Sequence, residues 1–281
     1  MQVRTIEVLQ SELHKVKNRG EIIGLVPTMG ALHDGHLALV NHAFESCDCV
    51  VVSIFVNPTQ FNNASDLNHY PRDVERDVEL LQKNKANTII FTPSVEEIYK
   101  ESVKAEEFDF GSITQFMEGE FRQGHFNGVG TIIKHLFEIV QPHKAFFGEK
   151  DYQQLRLIKK LVQITKQPVE VIGSPTYRET SGLAKSSRNK RLNKKQLETA
   201  TLIYQALTFA KDNFNQLSIA EIKHQVIQLF EQEHQLELEY FEIASTHDLV
   251  PTETKKAEVT YRAFIAAVIN EVRLIDNMAL N

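Results

Sequence analysis

Two short stretches of this chain concentrate residue types suited to handling a phosphate. The first is Pro27-Thr28-Met29-Gly30-Ala31-Leu32-His33-Asp34-Gly35-His36. It follows the apolar run Ile22–Val26 and precedes a helical pattern, so it lies where a strand should end and a helix begin. Pro27 is expected to end the strand, and Gly30 to permit close backbone approach. His33 and His36, three residues apart, are expected to share one face of the first helical turn. A helix N-terminus offers unpaired N–H groups and the positive end of a dipole, which favour an anion. Two imidazoles there add donors able to gain charge as phosphate charge develops. The same spacing also fits half of a zinc site, which would need two more ligands from elsewhere, and it fits two unrelated surface histidines.

The second stretch is Gly182-Leu183-Ala184-Lys185-Ser186-Ser187-Arg188-Asn189. It opens a cationic run, Lys185, Arg188, Lys190, Arg191, Lys194 and Lys195, with no acid between. Hydroxyls and cations together suit a triphosphate, and Gly182 is expected to lend the loop mobility. Such a run equally describes a solvated basic loop or a nucleic-acid patch.

The elements that must position these residues alternate. Strand patterns at Ile22–Val26, Cys49–Val56, Thr88–Phe91, Lys144–Phe147 and Val169–Ile172 are interleaved with helical ones. The helices are expected over Gly35–Ser46, from about Pro71, over Gly128–Ile139 and over Lys150–Ile164. Strands apolar on both faces fit a doubly wound parallel sheet covered by helices. Near Gly173–Pro175 the pattern changes. Long helical stretches at Lys194–Phe214 and Ser218–Glu233 precede strands at Leu236–Ala244, Thr260–Ile269 and Val272–Ile275. The expected organisation is therefore an α/β domain over 1–175 and a smaller α+β domain over 176–281.

Composition narrows the function classes. With 281 residues, 42% apolar and 24% charged, the chain suits globular domains with real cores. Lys+Arg is 31 and Asp+Glu is 37, a net charge of −6, so any anion site must be local and general nucleic-acid binding is disfavoured. Cys47 and Cys49 are too few for a disulfide framework or a thiolate metal site and read as free thiols in a reducing compartment. The first twenty residues lack an apolar core of signal-peptide type and pattern as an amphipathic helix. No stretch has the apolar length of a membrane span. A soluble, cytosolic protein with no nucleic-acid or membrane partner is the expectation, and composition alone names no reaction.

H-x-G-H followed by a K-S-S-R loop resembles the nucleotidylyl-transferase superfamily, which includes class I aminoacyl-tRNA synthetases. Within it the likeness is closer to the pantoate–β-alanine ligase family and spans nearly the whole chain. It is carried by Pro27–His36, Phe55–Phe61, Tyr70-Pro71-Arg72, Gly124-His125-Phe126, Phe147–Gln154, Leu183–Asn189 and Leu274–Asn277. The resemblance implies a Rossmann-like fold and ATP-dependent joining of (R)-pantoate to β-alanine, within coenzyme A biosynthesis. It implies a pantoyl-adenylate intermediate and release of AMP and diphosphate.

The resemblance also implies site residues. Met29, Gly30, Ala31, Leu32, His33, Asp34, Gly35 and His36 would contact ATP, with His36 as proton donor. Gly148, Glu149, Lys150 and Asp151 would form a second ATP segment, with Lys150 at the α-phosphate and Asp151 at the ribose. Read from position alone, Lys150 and Asp151 equally suit first-turn helix charges. Tyr177, Lys185, Ser186, Ser187 and Arg188 would form the third segment; Lys185, a departure from the family's usual residue, is expected by its charge to reach the β- and γ-phosphates. His33, His36, Lys150, Ser186, Ser187 and Arg188 make up the catalytic set. Gln60 and Gln154 would hold pantoate, with Asn57, Arg122, His125 and Tyr70 around the substrates. Lys185, Asn127, Ser181 and Asn62-Asn63 depart from the family's usual residues. Mg²⁺ would arrive on the nucleotide, with protein ligands unassigned, and family members are typically homodimers through the first domain.

Overall fold

A computed structural model describes residues 1–61, 67–68, 70–85, 87–100 and 102–281. The departure at Asn62-Asn63 lies outside the described residues. Two compact units emerge. The first comprises Met1–Phe110, Arg122–Gly148 and Gln154–Pro175, and the second Gly111–Phe121, Glu149–Gln153 and Thr176–Asn281. The segments 111–121 and 149–153 thus belong with the C-terminal unit, although they lie within the first 175 residues of the chain.

In the first unit, six parallel strands line up in the order β1 (Gln2–Val3), β4 (Thr88–Phe91), β3 (Cys49–Ile54), β2 (Ile23–Thr28), β5 (Lys144–Gly148) and β6 (Glu170–Ser174). Helices α1 (Ile6–Asn18), α2 (Asp34–Phe44), α3 (Val74–Asn84), α4 (Val95–Tyr99), α6 (His125–Val140) and most of α7 (Tyr152–Thr165) connect them. This is a doubly wound, Rossmann-like sheet. Strand order reverses between β2 and β5, and beyond that point sheets of this kind bind ligands. The sheet buries Val26, Val50, Val52, Ile90 and Phe146, and Leu32, Val40 and Leu81 pack against them.

Pro27 does not end β2; it pairs with Ser53 inside the strand. The carbonyl of Thr28 accepts from Phe55 beyond β3, so alternation turns the Pro27 nitrogen toward the other edge. There β5 pairs only with Gly24 and Leu25, and no ladder bond is lost. Helix α3 starts at Val74 rather than near Pro71, because the Asp73 carboxylate caps it by accepting from the Arg76 N–H. Cys47 and Cys49 are free and buried. Burial pushes both thiols up, Cys49 to about 11, so neither carries thiolate reactivity near neutral pH.

In the second unit, β7 (Glu237–Ser245), β8 (Tyr261–Ile269) and β9 (Val272–Ala279) form an antiparallel sheet in that order. The expected helix Lys194–Phe214 is two helices, α8 (Lys194–Ala200) and α9 (Leu202–Asn213), which meet at Thr201. Together with α10 (Ile219–Glu231) they bury Ile203, Leu207, Ile222 and Val226 against Ala263, Ile265 and Leu274 of the sheet. Strand β9 runs on to Ala279, so Asp276 and Asn277 lie within a paired strand. The short helix α5 (Glu118–Phe121) is held to this sheet by Arg273, which donates to both Glu118 oxygens at 2.9 and 2.6 Å, and by the Tyr240 hydroxyl at 2.8 Å. Among the described residues, no helix is long and apolar enough to cross a membrane.

Candidate active site

The histidine turn leaves the C-terminal end of β2. Gly30 and Ala31 take left-handed conformations at φ 80° and 51°, a sharp reversal that Gly30 adopts without steric cost. Two buried side chains bracket the turn. The Thr28 hydroxyl donates to the Ser53 carbonyl at 2.7 Å and accepts from the Gly30 N–H at 3.3 Å. The Asp77 carboxylate, 1% exposed, accepts from the Leu32 N–H at 2.8 Å. Burial pushes the Asp77 carboxyl up, and the Leu32 and Ala31 backbone N–H groups pull the other way.

His33 is not inside the helix. It is the N-cap of α2, with extended backbone, and His36 occupies the third helical position. The rings approach to 4.1 Å between centroids. The His33 backbone N–H donates to Nδ1 of His36 at 3.3 Å. With Nδ1 an acceptor, the neutral ring carries its proton on Nε2. The two rings thus share one face at the first turn, with His33 as its cap rather than as a helical residue.

Gln60 sits in a 3₁₀ turn (Pro58–Gln60) beyond β3 and is 7% exposed. Its Nε2 donates to the Met29 sulfur at 2.7 Å, which ties the glutamine to the histidine turn. Asn57 is 1% exposed and its amide is spent inside the protein. Its Nδ2 donates to Gln60 Oε1 at 3.2 Å and to the Gly128 carbonyl at 3.0 Å, and its Oδ1 accepts from the Tyr99 hydroxyl at 2.5 Å. His125, 4% exposed, holds the Gln60 carbonyl through Nδ1 at 2.8 Å. Asn57 and His125 therefore brace Gln60. A Cβ on Gly128 would lie 2.2 Å from the Thr59 carbonyl oxygen, so only glycine lets α6 approach this turn. Tyr70 is buried edge-on against Phe61 with centroids 5.6 Å apart. Arg122 and Gln154 are half-buried.

Gly148 closes β5 opposite Ser174. The turn Glu149–Asp151 that follows is a 3₁₀ helix of the second unit. The Asn277 Nδ2 donates to the carbonyls of Glu149 and Lys150 at 2.9 and 2.8 Å. Arg262 donates to Glu149 Oε2 at 3.1 Å and stacks over the Tyr152 ring at 3.9 Å. Gln153 is spent on the 111–121 segment, donating to the Ile113 and Phe116 carbonyls at 2.7 and 2.9 Å.

The cationic stretch is the second arm of a hairpin. Arg178 and Ala184 form an antiparallel bridge, and the Lys185 N–H donates to the Tyr177 carbonyl at 2.9 Å. Gly182 has a packing role here. At φ 87° its missing Cβ leaves room for the Tyr204 ring, which a methyl group would meet at 2.1 Å. The Lys185 ammonium lies 2.8 Å from Glu179. Ser186 caps the 3₁₀ turn Ser187–Arg191 by accepting from the Arg188 N–H at 3.3 Å. Ser187 is 9% exposed and Arg188 half-buried.

Asp77, Glu179, Arg262 and Asn277 are the residues that local spacing does not reveal. Asp77 reads as one more charge on an amphipathic helix. Of the four, only Asn277 lies within a stretch that carries the family resemblance, and its letter there gives it no role.

A histidine-capped helix N-terminus leaving the strand beside the sheet's reversal point is an arrangement suited to an anionic ligand in an α/β fold. Residues 1–279 match the family model described as pantoate-beta-alanine ligase. The chain belongs to the pantoate–β-alanine ligase family, whose activity it shares: ATP-dependent formation of pantothenate from pantoate and β-alanine. It is 50% identical to a pantothenate synthetase of Christiangramia forsetii over 282 residues, covering 100% of both chains. It is 41% identical to one from Fervidobacterium nodosum, covering 99% of each. The crystal structure of pantothenate synthetase from Thermus thermophilus superposes with a TM-score of 0.91 at 40% identity, covering 99% of each chain. That of the ligase from Francisella tularensis complexed with beta-gamma ATP and β-alanine gives 0.79 at 35%, covering 100% of this chain and 97% of the other.

Proposed function

We propose that the reaction proceeds through a pantoyl adenylate. The (R)-pantoate carboxylate attacks the α-phosphorus of ATP, forming one P–O bond as the bond to diphosphate breaks. The β-alanine amine then attacks the acyl carbon, forming the amide as AMP leaves and the amine proton passes to solvent. A carboxylate nucleophile needs no general base, so the first step is charge management and alignment.

Met29–His36 binds ATP. His36 donates from Nε2–H to a phosphate oxygen, a hydrogen bond that strengthens as charge develops. His33, as the cap, fixes that ring. Gln60 and Gln154 hold pantoate, since an amide both donates to a carboxylate and accepts from a hydroxyl. Arg122 pairs with a substrate carboxylate, while Asn57, His125 and Tyr70 shape the pocket wall. In the second unit, Lys150 takes the α-phosphate, Asp151 the ribose, and the Tyr177 backbone the adenine. Lys185, Ser186, Ser187 and Arg188 take the remaining phosphates, with Lys185 exchanging Glu179 for them.

Mg²⁺ enters with ATP. Among the described residues no group of three His, Cys, Asp or Glu side chains converges as a metal cage, and a nucleotide-borne ion needs none. It would neutralise phosphate charge. On family resemblance, the enzyme is cytoplasmic and homodimeric through the first unit.

The observation that carries this reading is the Gln60–Met29 contact, which sets a pantoate-type amide against the nucleotide-type turn. Pantoate-dependent exchange of labelled diphosphate into ATP tests it. Exchange that needs pantoate, with AMP release only on adding β-alanine, is expected. Exchange without pantoate would refute the assignment.

A further inference from the structure

The loop following β5 and the cationic hairpin are well separated in sequence, yet both end on the same two residues of β9. Asp276, 3% exposed, forms a two-point ion pair with Arg178 at 2.5 and 3.1 Å. Arg178 also donates to the Gly182 carbonyl at 3.0 Å and lies over the Tyr204 ring at 4.9 Å. The root of the hairpin is thereby fixed. Asn277, also 3% exposed, holds the Glu149 and Lys150 carbonyls with its two amide hydrogens. Its Oδ1 accepts from Arg262, whose other arm reaches Glu149.

Side chains alternate along a strand, so these neighbours point to opposite faces of the sheet. The face of Asp276 carries Ala263, Ile265 and Leu274 of the core. The face of Asn277 carries Arg262 and Phe264, with Tyr152 against both. Both amide hydrogens and the carbonyl oxygen of Asn277 are committed. With the side chain buried and both of its donors used on the turn, the effect Asn277 has on the reaction passes through the turn it holds.

We infer that Asp276 and Asn277 are positioning residues that set Lys150 and the Ser186–Arg188 turn as one body toward ATP, Asn277 acting through Lys150. This rests on the proposed nucleotide roles of those segments. The pairing turns the end of β9 into a gauge: the distance between the two nucleotide segments is set by one peptide unit of a paired strand rather than by loops. Misplacement of a phosphate-binding group by about 1 Å can cost about 100-fold in rate.

The test is a double-mutant cycle in pantoate-dependent diphosphate exchange. Asn277→Asp keeps the acceptor for Arg262 but sets an oxygen against two carbonyls. It should lower kcat/KM for ATP roughly 10- to 100-fold, leave KM for pantoate within about twofold and keep a cooperative thermal transition. Asn277→Ala provides the neutral control. In a Lys150→Ala background, either change should cost less than about twofold more. In a Ser187→Ala background, which Asn277 does not contact, the full loss should reappear. Equal losses with and without Lys150 would overturn the inference, as would normal ATP kinetics in both Asn277 variants. Normal exchange in Lys150→Ala alone would sink the nucleotide role of Lys150 and the inference with it, an outcome distinct from those.

Discussion

The backbone N–H of His33 donates to Nδ1 of His36 across 3.3 Å, so the cap residue fixes the tautomer of the ring three positions on. A ring held this way donates from Nε2 without taking a second proton. Gln places an amide N–H near the position of Nε2, whereas Ala places nothing. His36→Ala should lower diphosphate exchange by about 10²–10³-fold, the usual cost of one transition-state donor. His36→Gln should keep at least about tenfold more activity than His36→Ala. Equal rates for the two variants would show that the donor is not the contribution of this side chain.

Asp77 holds the Leu32 N–H from beneath the same turn. Asp77→Ala leaves a buried donor unpaired and should destabilise the protein by about 1–3 kcal/mol in urea unfolding. Asp77→Asn keeps an acceptor and probes the charge. Because burial raises the folded-state pKa, the carboxyl's stabilising contribution is full below its unfolded pKa and lost as pH rises through the raised folded value. The parent should therefore gain stability relative to Asp77→Asn as pH falls from 7 toward the ordinary carboxylate range. A slope of the opposite sign would contradict the burial assignment.

Lys185 and Glu179 form a partly exposed ion pair, with side chains 22% and 38% exposed. Such a pair is weak, worth about 0.2–1 kcal/mol, and a triphosphate competes for the lysine readily. Lys185→Met should raise the apparent KM for ATP. Glu179→Gln should lower it by up to about fivefold. Steady-state kinetics at two salt concentrations separate this from a packing effect, since the shift should shrink with added salt. Unchanged KM in Lys185→Met would remove the lysine from the nucleotide.

Gly128→Ala should damage pantoate binding more than ATP binding. Its methyl group would lie 2.2 Å from the Thr59 carbonyl and 2.6 Å from the Gln60 nitrogen, and backbone on both sides gives way only by moving the glutamine. Overpacking of this kind costs about 1–3 kcal/mol. The ratio of KM changes for the two substrates, with thermal unfolding as control, is the readout.

Periodicity locates most elements, because apolar runs and helical stripes are local. Thr88–Phe91 is a strand with the expected ends. Pairing across long separations is not legible in this way. Asp77 meets Leu32 over 45 residues and Asn277 meets Lys150 over 127, and no spacing rule encodes either. The helical stripe of Lys194–Phe214 continues past Thr201 and conceals the break there. Pro27 reads as a stop because its missing N–H matters only on a paired edge, and which edge is paired depends on sheet order. At the site, residue types are readable and their division of labour is not. Nothing in the letters of Asn57 or Gln153 distinguishes an amide spent on carbonyls from one offered to a substrate.

The chain passes from one unit to the other at residues 110/111, 121/122, 148/149, 153/154 and 175/176. Synthesis runs from the N-terminus, and the turn bearing Lys150 emerges from the ribosome about a hundred residues or more before Arg262 and Asn277 exist. That turn has no clasp during much of translation. A cut after residue 175 would leave that turn and the two residues that hold it on different fragments, so no single point along the chain divides it into its units.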